Sequence, residues 1–574
     1  MHFLAESFVF WEISLNFAAE RLRSGRLKKH TLMKNTIITG SISAVALLST
    51  LPCWSAKKAD KRPNILLIMA DDMGYSDIGC YGGEIPTPNI DALAAQGLRF
   101  TQFYNCGRSC PTRASLLTGL YSHQAGIGAM SEDPELKDGE DPEHQGEHGY
   151  MGFLNRNCVT MAEVLRDAGY HTYMTGKWHV GMHGKEKWPL QRGFEHFYGI
   201  LAGATSYLQP RDGRGLTLDN MHLPAPRPPY YTTDAFTDHA ISFLEGQQDD
   251  KPFFLYLAYN APHWPLQAKD ADIEKMAGRY AAGWQETREQ RRRRMVELGL
   301  IKDEWGLAEW ESRTWDQLSE EERDNSALRM SVYAAQVYCM DYNIGRVIDY
   351  LRDKGQLDNT LIIFLSDNGA CAEPYSETGF GTITDINNQQ HWVQPSYGKP
   401  WAMVSNTPYR KFKRRAYEGG IAAPLIVSWP KQTNKYASGF RENICHVTDL
   451  MATFVDVAQA KYPKTYHGGN DIIPMQGTSL VPAISQPDKE LHDYIYGEHA
   501  DNCYVRHGDW KAVRDEVTDK WELYYMPTDR TERRDLAEKE PERLKQLVGK
   551  WEEWANTHHV FPKGRGGRDT RLKE

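Results

Sequence analysis

The sequence predicts an α/β fold, with a mostly parallel sheet covered by helices and then a smaller C-terminal unit of short strands with a helix. Three observations carry this. Uninterrupted apolar runs of strand length recur at Asn64 to Ala70, Phe253 to Tyr259 and Leu361 to Leu365, as strands covered on both faces require. Helix signals with caps and glycine stops fall between such runs. Beyond residue 488 the pattern changes to short strand-like runs at Tyr494 to Gly497, Tyr504 to His507, Trp510 to Arg514 and Trp521 to Tyr525, followed by a helix from about Glu540 to Ala555. At 574 residues and 41% hydrophobic content the chain can bury a large core.

Taken in order, the first buried run ends in Asp71-Asp72. Adjacent carboxylates at a buried strand end repel each other unless positive charge sits between them, although a solvated turn would also accommodate them. Thr87-Pro88 opens a helix that Gly97 closes. The next strand, Leu98 to Tyr104, leads into Ser109-Cys110-Pro111-Thr112-Arg113, with Gly119 as the helix stop. Ser109 would then stand at a helix entrance, where free N–H groups favour an anion, with Arg113 one turn in on the same side. From these residues alone, a buried turn with a capping serine fits equally well. Both strands would deliver their C-terminal ends to one edge of the sheet, where open α/β sheets bind ligands.

Thr160 to Glu163 is a capping box, and the strand after it, Tyr170 to Thr175, ends in Gly176-Lys177-Trp178-His179. Phe253 to Tyr259 ends at Asn260, ahead of His263, which has a proline on either side. Residues 268–330 read as a helical excursion, and Arg291 to Arg294 as a solvated helix face. A helix continues from Ala334 to Lys354 with one apolar face. Leu361 to Leu365 ends in Ser366-Asp367-Asn368, two more hard oxygen ligands. With Asp71, Asp72 and the oxygen of residue 109, these form an oxygen-only set that favours Ca²⁺ over stricter octahedral Mg²⁺. Residues 371–408, with Tyr375, Phe380, His391, Trp392, Tyr397 and Trp401, read as a long loop roofing the site. His144 and His148 read as solvated loop residues.

The formal charge of −9 and pI near 6.2 give no electrostatic basis for a nucleic-acid partner. Met33-Lys34, the apolar run Ile37 to Leu51 and small Ser55-Ala56 have the order of a secretion signal. Translation is therefore expected to begin at Met33, and residues 1–56 to be an N-terminal extension plus signal, with no stable membrane insertion after its removal. The nine cysteines are scattered and show no metal-ligand spacing.

Ser109-Cys110-Pro111-Thr112-Arg113 with Thr118-Gly119 resembles the signature of the formylglycine-dependent sulfatases, type I and arylsulfatase-like. The resemblance continues through Asp71-Asp72, Gly176-Lys177-Trp178-His179, Pro262-His263, Asp367-Asn368 and Tyr417-Glu418-Gly419-Gly420, in the family's order from about Arg62 to Pro562. It implies an alkaline-phosphatase-like fold, a large mixed, mostly parallel sheet flanked by helices plus a small C-terminal antiparallel sheet with a helix, with a catalytic domain over residues 62–487 and a C-terminal α+β subdomain over 488–565. It also implies that Ser109, rather than Cys110, is oxidised to formylglycine (3-oxoalanine), and that Asp71, Asp72, Ser109, Asp367 and Asn368 hold the metal. Lys177 and Lys413 would hold the sulfate, Arg113 would stabilise the nucleophilic oxygen, His263 would protonate the leaving oxygen and His179 would deprotonate the hydrate. Counting back from Tyr417 selects Lys413 from among Arg410, Lys411, Arg414 and Arg415.

Serine at the oxidised position is similar to bacterial members served by a serine-type sulfatase-maturating enzyme, so a periplasmic or secreted bacterial enzyme acting on sulfated sugars is expected. Two other readings remain. One is a phosphatase or phosphodiesterase of the alkaline phosphatase superfamily using unmodified Ser109. The other is a non-catalytic sulfated-glycan binder.

Overall fold

The computed structural model describes residues 60–130, 148–211, 213–388, 395–466 and 469–561. The expected secretion signal, His144, His391 and Trp392 lie outside the described residues. Ten strands form the large sheet: β1 (Asn64–Ala70), β2 (Leu98–Tyr104), β3 (His171–Lys177), β4 (His196–Ile200), β5 (Leu216–Leu218), β6 (Met221–His222), β7 (Phe253–Ala258), β8 (Thr360–Ser366), β9 (Ala422–Ser428) and β10 (Gly439–His446). Their spatial order is β10-β2-β9-β8-β1-β7-β3-β4-β5-β6. The block from β8 to β4 is parallel throughout, whereas β9 runs antiparallel to both of its neighbours, β2 and β8. The sheet is thus mixed and mostly parallel, as expected.

Alternation along β1 shows why its sequence is apolar at every position. Leu66, Ile68 and Ala70 enter the core on one face, and Ile65, Leu67 and Met69 the core on the other. Helices cover both faces, among them Thr232–Gly246 and the long Glu320–Asp353 on one side and Ser109–Thr118 and Met161–Asp167 on the other. A second sheet of β11 (Tyr494–His499), β12 (Asn502–His507), β13 (Trp510–Arg514) and β14 (Trp521–Tyr525) is antiparallel throughout. Its core residues Cys503, Val505, Ala512 and Leu523 pack on Leu547, Trp551 and Trp554 of the Pro541–Thr557 helix. No helix among the described residues is long and apolar enough to cross a membrane.

Two expectations are corrected. Arg291 is not solvated. It is buried on the Gly283–Glu297 helix, donating to Asp77 at 2.6 Å and to both carboxylate oxygens of Glu84 at 2.7 Å. The 371–408 stretch is not a structureless roof, since Gly398–Ser405 is helical and buries Trp401, whose indole N–H donates to the Ser326 carbonyl at 2.8 Å. Tyr397 is likewise buried, stacked on Tyr333.

Candidate active site

The site gathers on the sheet edge where the parallel strands end. Asp71-Asp72 follow β1, Lys177 ends β3 with His179 just beyond, His263 lies past β7, and Asp367-Asn368 follow β8. Because β9 is antiparallel, the segment before it, carrying Lys413, arrives at this same edge. Ser109 begins its helix after the turn that leaves β2. Asp72 and His179 have φ of 66° and 57°, in the left-handed region that Asp and His adopt more readily than most residues. Gly176 (φ 106°) lets β3 approach β7 closely just before Lys177, for a Cβ there would lie 1.8 Å from the Ala258 carbonyl oxygen.

Ser109 Oγ stands 2.9 Å from Asp71 Oδ1 and 2.7 Å from Asp367 Oδ2, so one hydroxyl proton faces two carboxylates. It does not cap its helix; the capping position is Arg108. Lys177 Nζ donates to both oxygens of Asp71 at 2.9 and 2.7 Å and to Ser109 Oγ at 3.3 Å. Arg113 donates to Asp367 Oδ2 at 3.0 Å, to the Lys177 carbonyl at 3.0 Å and to the Tyr256 hydroxyl at 3.4 Å. Lys413 Nζ donates to Asp72 at 2.8 Å, while Lys411 turns away to Glu311, Arg410 to Glu522 and Arg414 to Glu516. The Asp72 backbone N–H donates to Asp367 Oδ1 at 3.1 Å, and Asn368 Nδ2 to Asp72 Oδ1 at 2.7 Å.

All these side chains are buried, and charge decides their protonation. Burial works against ionised Asp71, but Lys177, His263 and Arg113 outweigh it and hold the carboxyl at about 2. Asp367 is pushed up by burial and by Asp71 beside it, as two carboxylates sharing one proton require. Burial also lowers Lys177 and His263, and takes His179 well below the ordinary histidine value, with Lys177, Arg113 and Lys413 adding to the effect. His179 makes no hydrogen bond to the other site residues. Its Nδ1 is buried without a partner, and Gly203 packs so closely that a Cβ there would lie 2.4 Å from Nε2.

The donor set fits a hard cation. Asn368 Oδ1 is buried with no hydrogen-bond partner, an orphaned oxygen beside Asp72. His263 Nδ1 lies 2.6 Å from the Trp264 carbonyl, which can only accept, so the Nδ1 proton is committed there. In the neutral ring a bare Nε2 then faces Asp72 Oδ2 at 3.3 Å, a contact that calls for a proton or a cation. Asp71, Asp72 and His263 place possible ligand atoms within 4.8 Å of one another. The sequence singled out His263 but not as a possible ligand. It also passed over Tyr256, whose hydroxyl meets Arg113, and the Arg108–Glu373 ion pair beside the site. Neither sits in a motif of its own.

A family model described as Sulfatase matches residues 63–460, and one described as N-sulphoglucosamine sulphohydrolase, C-terminal, matches 409–556. An uncharacterised sulfatase of Schizosaccharomyces pombe is 33% identical over 536 residues, covering 87% of this chain and 94% of the relative. An arylsulfatase of Klebsiella aerogenes is 35% identical, with 73% of this chain and 91% of the relative covered. Among solved structures, Ps i-CgsB in complex with k-i-k-neocarrahexaose superposes with a TM-score of 0.63 at 25% identity, covering 88% of this chain and 98% of that one. With that match over most of its length and with the motif residues gathered at one sheet edge, the chain belongs to the sulfatase family.

Proposed function

We propose that this protein hydrolyses sulfate monoesters of carbohydrates, with residue 109 oxidised to formylglycine and with Ca²⁺ held by Asp71, Asp72, Asp367, Asn368 and the oxygen of residue 109. The observation that carries it is the setting of Ser109, a buried hydroxyl at a helix entrance between two carboxylates, with Lys177 and Arg113 on the same cluster. The carrahexaose-bound neighbour supports a sugar as the organic part. A Ca²⁺ held there would supply positive charge, and a formylglycine at position 109, as its hydrate, would supply the attacking hydroxyl and a second hydroxyl able to give up a proton.

The chain's own groups divide the remaining work. Lys177 and Lys413 hold negative charge on the transferring group. Arg113 fixes Asp71 and Asp367 around the residue-109 oxygen, and Asp367 Oδ2 is placed to take its proton. His263 has Nδ1 committed to the Trp264 carbonyl, so Nε2 is the atom that can take up a proton, beside Asp72, and, once the ring is protonated, give it to the leaving oxygen. His179, kept neutral by burial and by neighbouring cations, suits the base that deprotonates the hydrate. We further propose maturation by a serine-type sulfatase-maturating enzyme and export to a bacterial periplasm or beyond.

Three measurements test the reading. Protein made with that maturase should give a residue-109 peptide lighter by two hydrogens and reactive toward carbonyl reagents, and Cys110→Ala should keep it. Chelation should abolish turnover of 4-nitrophenyl sulfate, and titration of the stripped protein with Ca²⁺ should show binding by calorimetry that Asn368→Ala weakens. Full turnover of sulfate esters by unmodified Ser109 protein would refute the aldehyde mechanism, and a preference for phosphate esters would move the protein to the phosphatase reading.

A further inference from the structure

Beside the buried cluster stands an ion pair with no assigned role. Arg108, immediately before Ser109, places a guanidinium nitrogen 2.7 Å from Glu373 Oε1, and Glu373 is the fifth residue after Asn368. Both belong to segments that deliver site residues. Unlike Arg113, Asp71 and Asp367, whose side chains are 0% exposed, Arg108 and Glu373 retain 11% and 16%. They therefore sit where the cluster meets solvent. Glu373 also lies within electrostatic reach of Lys413 and His263, the residues proposed to hold the sulfate and to serve the leaving oxygen.

The pair has unused capacity. Glu373 Oε1 is engaged by Arg108, but among the described residues Oε2 receives only the Cys371 thiol at 3.5 Å, a weak donor. Arg108 Nε donates to the Met130 sulfur at 2.9 Å, a weak acceptor. One face of the pair thus offers a strong acceptor beside guanidinium donors, a match for neighbouring hydroxyls on a ring. A second anion suits it poorly, because the charge of Arg108 is already balanced and Oε2 would repel a carboxylate or sulfate. Next in sequence to His263, Trp264 packs edge-on against exposed Phe380, an apolar surface of the kind a sugar's C–H face covers.

We propose that the Arg108–Glu373 pair determines specificity for the organic part of the substrate, binding a sugar ring through free hydroxyls next to the sulfated carbon and disfavouring rings with a second anion there. This rests on the sulfate-ester reading above.

The test compares matured wild type with Glu373→Gln, Arg108→Met and Arg108→Lys on 4-nitrophenyl sulfate, which has no such hydroxyls, and on hexose 2-, 3-, 4- and 6-sulfates. Losing a hydrogen bond to a charged group should lower the sugar-to-aryl ratio of kcat/KM by about 30-fold in Glu373→Gln and Arg108→Met. KM should carry most of the change, and Arg108→Lys should lose less than Arg108→Met. Glu373→Gln should also gain relative activity on a hexose disulfate with adjacent sulfates, which a merely structural role would not produce. Should the variants fail to fold, deoxy analogues of the best sugar sulfate offered to wild type should lose a similar factor. A ratio within about threefold of wild type in the variants, or deoxy analogues turned over like their parent, overturns the proposal. Wild type that cleaves aryl sulfate but none of the hexose sulfates overturns it too, while leaving the sulfatase chemistry standing. Wild type that cleaves no sulfate ester overturns both.

Discussion

The contact between His179 and Gly203 lets one methyl group test a proton-transfer residue. Gly203 has ordinary backbone geometry, so alanine adds no φ strain there, but its Cβ would meet the His179 ring at 2.4 to 2.5 Å. Gly203→Ala should therefore turn the imidazole and lower kcat by about 100-fold, the usual cost of displacing a catalytic group by an ångström, with little change in Tm. Wild-type kcat in that variant would remove His179 from the chemistry. Likewise Lys413→Met should cost at least about 100-fold in kcat/KM, whereas Lys411→Met, which loses only the contact with Glu311, should stay within about threefold. At this scale much of the site was legible, because motif residues at strand ends name themselves. Glu373 and Gly203 were not, since their value lies in what stands opposite them in space.

Within the Gly283–Glu297 helix, Trp284, Arg288, Arg291 and Met295 are all buried. Their spacing marks one helix face, but arginine reads as polar, so the stripe is invisible to apolar periodicity. Arg291 connects this helix to the turn after Asp71-Asp72. Its partner Asp77 accepts from the Gly74 N–H at 2.8 Å and the Tyr333 hydroxyl at 2.7 Å. Arg291→Met should strand Asp77 and Glu84 and cost about 3–5 kcal/mol in urea unfolding, whereas Arg293→Met, at the surface, should cost under about 1 kcal/mol. Equal effects would remove Arg291 as a support of the turn. The helix Gly398–Ser405 escaped notice for a related reason: it is short, holds Pro400 and owes its form to Trp401 packing in the core.

For the whole molecule, strand positions were readable and strand directions were not, because nothing local in Ala422–Ser428 says that it runs against its neighbours. The two sheets are joined through a buried charge network. Lys511 donates to Glu418 at 3.0 Å and Glu532 at 2.7 Å, and Arg530 donates to Glu418 at 2.7 Å. Burial, opposed by Lys511 and reinforced by Glu418, pushes Glu532 up to about 7 from its ordinary 4.5. Its folded form holds a proton that the unfolded chain releases earlier, so its stabilising share is complete below about pH 4.5 and is lost as pH rises through 7. Tm should fall between about pH 5 and 7 and level off above that, and Glu532→Gln should flatten that slope; the same slope in both proteins would locate the effect elsewhere. The strand order also sets a clock. β2, which leads to Ser109, is separated from β1 by β8 and β9, so Asp71 and Ser109 cannot meet until residues 360–428 have been made. About 310 residues lie between the end of the Ser109 helix and the end of β9, on the order of fifteen to sixty seconds of synthesis. Once the sheet closes, Ser109 is buried too deeply for the active site of another protein, so a modifying enzyme has that interval, or a chain held open afterwards, in which to reach it.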